Sequence, residues 1–439
     1  MTDQDEPLDW TTTIFRLLFA CLDADHPHTK AYIEPRSSCE TDEVGRLSPS
    51  LFYGRRHGLA ANIQSRRNNM STSNSPANQI EGVVLKSGWT VGLKLVRSPN
   101  ATGGNFGVGY HVRRGAEQAF LKAIDFIGAL RDSDPISKLA ELVSHAQWER
   151  DMLGYCGERK MSRVVRLLDH EYVYPPGLEN QPAMQVSCLV TEIGECDLRK
   201  KLDLVSNPTH SWKLHVLRDV ALALDQLHGG GIAHQDVKPS NVISLPLQNS
   251  DTTSAGAQPA RTASPPAMKL TDVGRVVSRN KTGPFDHVKW PGDWRYAPPE
   301  KFYGFSAPEW HDERVAADAY MLGSLLVYLF TGLPMTTLLR DALPEQFRPE
   351  NWQAGFDTAL LPVLVNAQSE VLALHLAPQL PDGMRDALMT MTIELTHPDP
   401  RKRGDPGARA QGLVGIDRYS QRFLMMAKRM DIVERKAAG

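Results

Sequence analysis

Apolar and polar positions change rhythm along this chain. Between Gly82 and Gly194, short runs of β-branched and aromatic residues are bounded by Gly, Asn or Pro. They predict strands over 89–95, 107–112, 118–125, 164–168 and 184–192. One helical pattern interrupts them. Leu142, His145, Trp148, Glu149, Met152 and Leu153 recur at helical spacing and predict a helix over 139–153. From Leu198 onward the period is mostly helical. Residues 211–227 read as an amphipathic helix, and 318–330 are apolar nearly all round, as a buried helix should be.

The flanks and one insert lack such patterns. Residues 14–22 predict a short amphipathic helix. Arg16 interrupts the run, it is far shorter than the ~20 residues that span a bilayer, and acidic residues precede it, the wrong charge for a signal peptide. Residues 65–79 are almost wholly polar and cannot offset their ordering entropy, which predicts a mobile linker. Met70 within it is a candidate start, to be checked by mass spectrometry of the native N-terminus. A Ser/Thr/Ala/Pro tract, about 246–267, reads as a disordered loop between short strands over 241–244 and 268–272. There is no internal repeat.

Composition adds limits. With 439 residues, 41% of them apolar, a sizeable core can form. A formal charge of −2 points neither to nucleic acid nor to an acidic membrane surface. The five cysteines are scattered, with no CxxC pair, which argues against a disulfide framework or zinc site and fits a reducing compartment. The expectation is a cytoplasmic protein with no membrane span.

The candidate chemistry centres on His234-Gln235-Asp236-Val237-Lys238-Pro239-Ser240-Asn241. Phosphoryl transfer needs a carboxylate to orient and deprotonate an attacking hydroxyl, a cation near the phosphate and a metal-binding amide. Asp236, Lys238 and Asn241 supply these at offsets of zero, two and five. Asp272-Val273-Gly274 follows a short strand, and its carboxylate could chelate Mg²⁺; alone, such a string is a commonplace turn. Its position, before Tyr296-Ala297-Pro298-Pro299-Glu300, gives it weight. Lys122 lies among apolar neighbours in Phe120-Leu121-Lys122-Ala123-Ile124, and reads either as a solvated strand lysine or as a phosphate-holding one. The second role needs a helical carboxylate. Glu149, 27 residues on, is preferred to Glu141 because Leu153 follows it by one turn; the gap predicts an extra loop around 131–137. Upstream, Gly103, Gly104 and Gly107 would let the backbone approach phosphate oxygens.

In this order, the elements resemble the eukaryotic-like protein kinase superfamily, from Gly82 to the low 420s. The strings GGNFGVGY, HQDVKPSNV, GDWRYAPPE and YMLGSLL are most similar to bacterial Ser/Thr protein kinase-like members. The resemblance implies an α+β, two-lobed fold, with a small β-rich N-lobe and a larger α-helical C-lobe. It divides the chain into a flexible extension (1–80), N-lobe (81–193), C-lobe (194–425) and tail (426–439). It implies ATP and Mg²⁺, with Asn241 and Asp272 on the metal and Asp236 and Lys238 in catalysis. Thr191 would be the gatekeeper, with adenine held by backbone near Glu192 and Gly194. Asp318 would start the helix that anchors the catalytic loop, and Arg403 would pair with Glu300. Lys238 favours Ser/Thr over Tyr on a protein substrate. Ser278, Thr282 and the insert hydroxyls Thr252, Thr253, Ser254, Thr262 and Ser264 are candidate sites of self-phosphorylation.

Four positions depart from the family pattern. Gln235 replaces an arginine that binds phosphate on the activation segment, which predicts no phospho-switch there. Thr102 replaces the first loop glycine, and Val273 an aromatic. Asp293 replaces a threonine; its carboxylate could bind Lys238, or raise the Asp236 pKa by like-charge repulsion. The alternatives are a pseudokinase or nucleotide-binding scaffold, and a small-molecule phosphotransferase. Against the first stand Lys122, Asp236, Asn241 and Asp272. Against the second stand Lys238 and the Glu300 and Arg403 elements.

Overall fold

A computed structural model describes residues 75–96, 107–205, 207–245 and 267–438. The helix expected over 14–22, Met70, Thr102, Gly103, Gly104 and the insert hydroxyls lie outside the described residues.

The N-lobe is built on one antiparallel sheet of β1 (Thr90–Lys94), β2 (Val108–Arg114), β3 (Glu117–Asp125), β4 (Leu167–Val173) and β5 (Val186–Glu192). The order is β1-β2-β3-β5-β4. β5 is buried along most of its length, as a strand with neighbours on both sides and cover on both faces must be. The expected strand at 164–168 is displaced. Val164 and Val165 are buried, but Val165 N–H bonds to Leu270 O at 2.8 Å, across to the C-lobe. The sheet strand begins at Leu167 instead and carries Asp169, His170 and Glu171 along the sheet's edge, where charge discourages further pairing.

The helix α1 (Pro135–Glu158) is longer than its apolar pattern. Asp134 caps it by accepting from Ser137 N–H at 3.2 Å, and Pro135 fits the first turn, where no N–H is needed. The extra loop expected around 131–137 lies earlier. A 3₁₀ turn, Ile127–Arg131, packs Ala129 with Phe126 onto Leu139, Leu142 and Val143 of the helix.

The C-lobe holds α2 (Leu198–Leu204), α3 (His210–Gly229), α4 (Ala316–Thr331), α5 (Met335–Ala342), α6 (Leu361–Val371), α7 (Arg385–Leu395) and α8 (Ile416–Ala438). Small sheets pair β6 (Cys196–Asp197), β8 (Val242–Ser244) and β9 (Met268–Leu270), and β7 (Ile232–Ala233) with β10 (Val277–Ser278). α4 is buried almost throughout and runs through the centre of the main core. Among the described residues no single helix is long and apolar enough to cross a membrane. The expected α+β, two-lobed architecture is present.

Both expected outer boundaries move. Ala77 and Ile80 are buried in the N-lobe core, and Tyr110 OH donates to Ala77 O at 2.7 Å, so the N-lobe begins by Ser75 rather than at 81. Two apolar residues were enough to dock the end of a polar segment. At the other end, α8 runs through 425 without a break. Its last turns lie against α3, with Ser211 Oγ donating to Glu434 at 2.6 Å and His215 Nε2 3.1 Å from Asp431.

Candidate active site

A cleft lies between the lobes. β3 turns alternate side chains toward it, among them Lys122. Lys122 Nζ lies 2.8 Å from both carboxylate oxygens of Glu149 and 3.7 Å from Asp272 Oδ1. Glu149 is buried on α1, and Leu153 one turn later is in the core. Glu141 is exposed and pairs with Lys138. Burial pushes the Glu149 carboxyl above its ordinary range; Lys122 opposes the rise and Asp272 adds to it. Burial also opposes charge on Asp272, yet Lys122, Lys238, His234 and Arg275 hold that carboxyl below the usual range.

The loop after β7 is fixed from below. Asp318, fully buried at the start of α4, accepts from the backbone N–H of His234 at 2.7 Å and of Gln235 at 2.8 Å, and lies 2.8 Å from His228 Nε2. This holds Gln235 at a φ of 62°, a conformation costly for a side-chain-bearing residue unless its surroundings enforce it. Asp236 then emerges with Lys238 Nζ at 2.9 Å, Asn241 Nδ2 at 3.1 Å and the backbone N–H of Asp293 at 2.8 Å. Asn241 Nδ2 also donates to Asp236 O at 2.9 Å, so its amide oxygen is the atom left for a cation. Its one described contact is a hydroxyl donor, Ser240 Oγ at 3.3 Å. Asp272 has a φ of 61° and lines the same cleft as Asn241. These two donors suit a hard cation whose remaining ligands come from phosphate.

Gly107, Thr191, Lys122, Glu149, Asn241 and Asp272 thus line one cleft, and Asp236 and Lys238 contact it through Asn241 and Asp236. Glu192 and Gly194 are not among its lining residues. The Glu192 carboxylate accepts from Arg166 N–H at 2.7 Å and pairs with Lys269. Gly194 lies against the second lobe, where a Cβ would come within 2.9 Å of Ile243 Cδ1.

No protein-family model matches the chain. Among curated proteins, serine/threonine-protein kinase PknB of Mycobacterium tuberculosis is 24% identical over 320 aligned residues, 64% of this chain and 47% of that protein. Serine/threonine-protein kinase PknH of Mycobacterium bovis is 30% identical over 190 residues, 43% of this chain and 28% of that protein. Serine/threonine-protein kinase PknD of Mycobacterium tuberculosis is 31% identical over 119 residues, 27% of this chain and 14% of that protein. These relatives support a protein kinase-like superfamily member. The chain spans about half the length of PknB and less of the other two.

In this kinase-like chain the activation segment, from Asp272 to Glu300, is held by groups that sequence reasoning assigned no role. Trp148 on α1 donates its indole N–H to Val276 O at 2.9 Å. His145 stacks on Phe285 with centroids 4.7 Å apart, and Asp151 pairs with Lys281 at 2.7 Å. Arg314 is buried where the segment passes Gln235. Its Nη2 donates to Asp286 O at 2.9 Å, and Gln235 Nε2 donates back to Arg314 O at 2.9 Å. Helical spacing placed Trp148 beside Glu149, but nothing in the pattern named its partner 128 residues away. Gly292 closes the segment onto the catalytic loop; a Cβ there would lie 2.1 Å from Gln235 O, so only glycine fits. Asp293 caps the next turn, its Oδ1 accepting from Arg295 N–H at 3.0 Å. Its carboxylate is held by Arg295 through Nε at 3.0 Å and Nη2 at 2.6 Å, with Lys238 Nζ at 3.7 Å. Val273, in the aromatic's place, is fully buried in the main core. Ser278 is part-buried in β10 with its hydroxyl accepting from Asn280 N–H, whereas Thr282 is exposed.

Proposed function

We propose that this protein transfers the γ-phosphate of ATP to Ser or Thr hydroxyls of protein substrates, itself included. The arrangement around Asp236 carries the reading. A carboxylate only 2% exposed is held by a lysine, an amide and a backbone N–H, and through that amide, Asn241, it adjoins the cleft lined by Lys122, Glu149 and Asp272. Such a group can accept a hydrogen bond from an incoming hydroxyl and take its proton. Lys238, 3.1 Å and 2.9 Å from the two Asp236 oxygens, is a fixed positive charge beside the hydroxyl's path, preorganised to stabilise the transferring group. Lys122, locked by Glu149, supplies the cation for the α- and β-phosphates. Asn241 and Asp272 would hold Mg²⁺, which when bound neutralises charge on the phosphates.

The same reading includes a segment that needs no phosphate to order it. Gln235 carries no charge to bind one, and Arg314, Trp148 and His145 already tie the segment to both lobes. The relatives' names support Ser/Thr on protein as acceptor.

The test is to incubate the full chain with γ-labelled ATP, Mg²⁺ and a panel of proteins and small-molecule alcohols. Label on Ser or Thr of protein is expected. Label on small molecules alone, or on no acceptor while ATP still binds, would overturn the assignment.

A further inference from the structure

Among the described residues lining the cleft, Phe120 is the single aromatic side chain. Strand side chains alternate, so Phe120 and Lys122 share a face of β3, about 7 Å apart. Lys122 is drawn toward Asp272 and Glu149. Phe120 lies at the other end, where its cross-strand partner on β5 is the small residue Thr191. Leu95, also on the cleft wall, lies at this end beside Gly109, whereas Leu189 is the cross-strand partner of Lys122.

The strand on the other side has given up a side chain at this point. Gly109 on β2 sits under the ring, and a Cβ there would lie 2.9 Å from Phe120 Cε2 and 3.4 Å from Leu95 Cδ1. Any other residue at 109 would push the ring aside. Gly109 and Phe120 therefore form a matched pair, one strand leaving a hollow that the other covers with a flat ring. The ring remains only part-buried, with space in the cleft beside it.

We propose that Phe120 is a specificity-determining residue, a platform on which the planar base of the nucleotide stacks, seated by the absence of a side chain at Gly109. This rests on the reading of the cleft as a nucleotide site. The charged groups mark the phosphate end and leave the apolar end for the base. An aromatic face attracts a heteroaromatic ring in offset stacking, which an aliphatic roof of equal bulk does not reproduce.

The experiment is calorimetric titration of the full chain with ATP in the presence of Mg²⁺, on wild type, Phe120→Tyr, Phe120→Leu and Phe120→Ala. Tyr keeps the aromatic face, Leu keeps apolar bulk without it, and Ala removes both. The expected result is wild-type affinity within about twofold for Tyr, and about tenfold weaker binding for Leu and Ala, the lower range for one stacked base. Leu binding as tightly as wild type would overturn the proposal, because bulk alone would then suffice. Tighter binding by Ala would do so as well, since the ring would then obstruct the pocket. If wild type itself failed to bind ATP, the nucleotide reading would fall instead, which separates the two claims. Should Ala fail to fold, the comparison of Tyr with Leu still decides.

Discussion

Glu300 and Arg403 are 103 residues apart in sequence, yet both are fully buried and joined by two hydrogen bonds of 2.8 and 2.9 Å. The remaining Arg403 donors reach the carbonyls of His397, Ala316 and Pro398, so the guanidinium is satisfied on every side. Removing it leaves Glu300 as an uncompensated buried charge. Arg403→Ala is expected to cost ~3–5 kcal/mol, read as a lower urea midpoint or melting temperature. An unchanged midpoint would contradict that account. A second residue-scale prediction concerns Asp293. Burial opposes its charge, but the Arg295 fork holds its carboxyl below the ordinary range. Its stabilising contribution is therefore complete above the unfolded value and lost only as pH falls through the lowered folded value. Arg295→Ala should move that loss to higher pH, seen as an acid limb of the melting-temperature profile shifted upward; superimposable profiles would refute it. Residues of this kind differ in how legible they were. Asp236, Lys238, Asn241 and Asp272 announce themselves because each role admits few residue types at fixed offsets. Phe120 and Gly109 did not, since neither carries a reactive group and their meaning lies in a contact across two strands.

At the scale of elements, α1 and the activation segment form one unit. The Lys122–Glu149 pair depends on where α1 sits, and α1 is held to the segment by Trp148, His145 and Asp151. Trp148→Phe keeps the ring but removes the donor to Val276 O, at about 1 kcal/mol. Backbone amides near Val276–Phe285 should then exchange faster with deuterium, and ATP affinity should fall with them; exchange confined to the site of mutation would show that the contact does not hold the segment. Helix and strand positions were readable where burial imposes a period, as in α4 and β5. The pattern failed at β4, where an edge strand tolerates polar residues, and at 126–134, where a 3₁₀ turn has too few residues to show a period. The Trp148 clamp was hidden because sequence shows the residue and not its partner.

At the scale of the whole molecule, the N-lobe sheet keeps its own core, α1 packs Trp148, Met152, Leu153 and Cys156 into the main core of the C-lobe, and the lobes meet around the cleft. Lobe order was legible from the change of period near Leu198, whereas the outer edges were not. The C-lobe does not end at 425, because Ala427 and Met430 of α8 are buried in its core and Glu434 and Asp431 bond to α3. Truncation after residue 425 should lower stability by about 2–5 kcal/mol, the scale of losing one large buried side chain. A truncated chain melting at the wild-type temperature would show that the last turns merely rest on the surface. The central claim is that the cleft transfers phosphate through Asp236. Its most direct test is the single-turnover rate of γ-phosphate transfer by wild type and Asp236→Asn, with ATP affinity measured on both. Transfer slowed by about 10²-fold or more in the variant, with ATP binding retained, is the predicted result. Equal rates in the two proteins would contradict it.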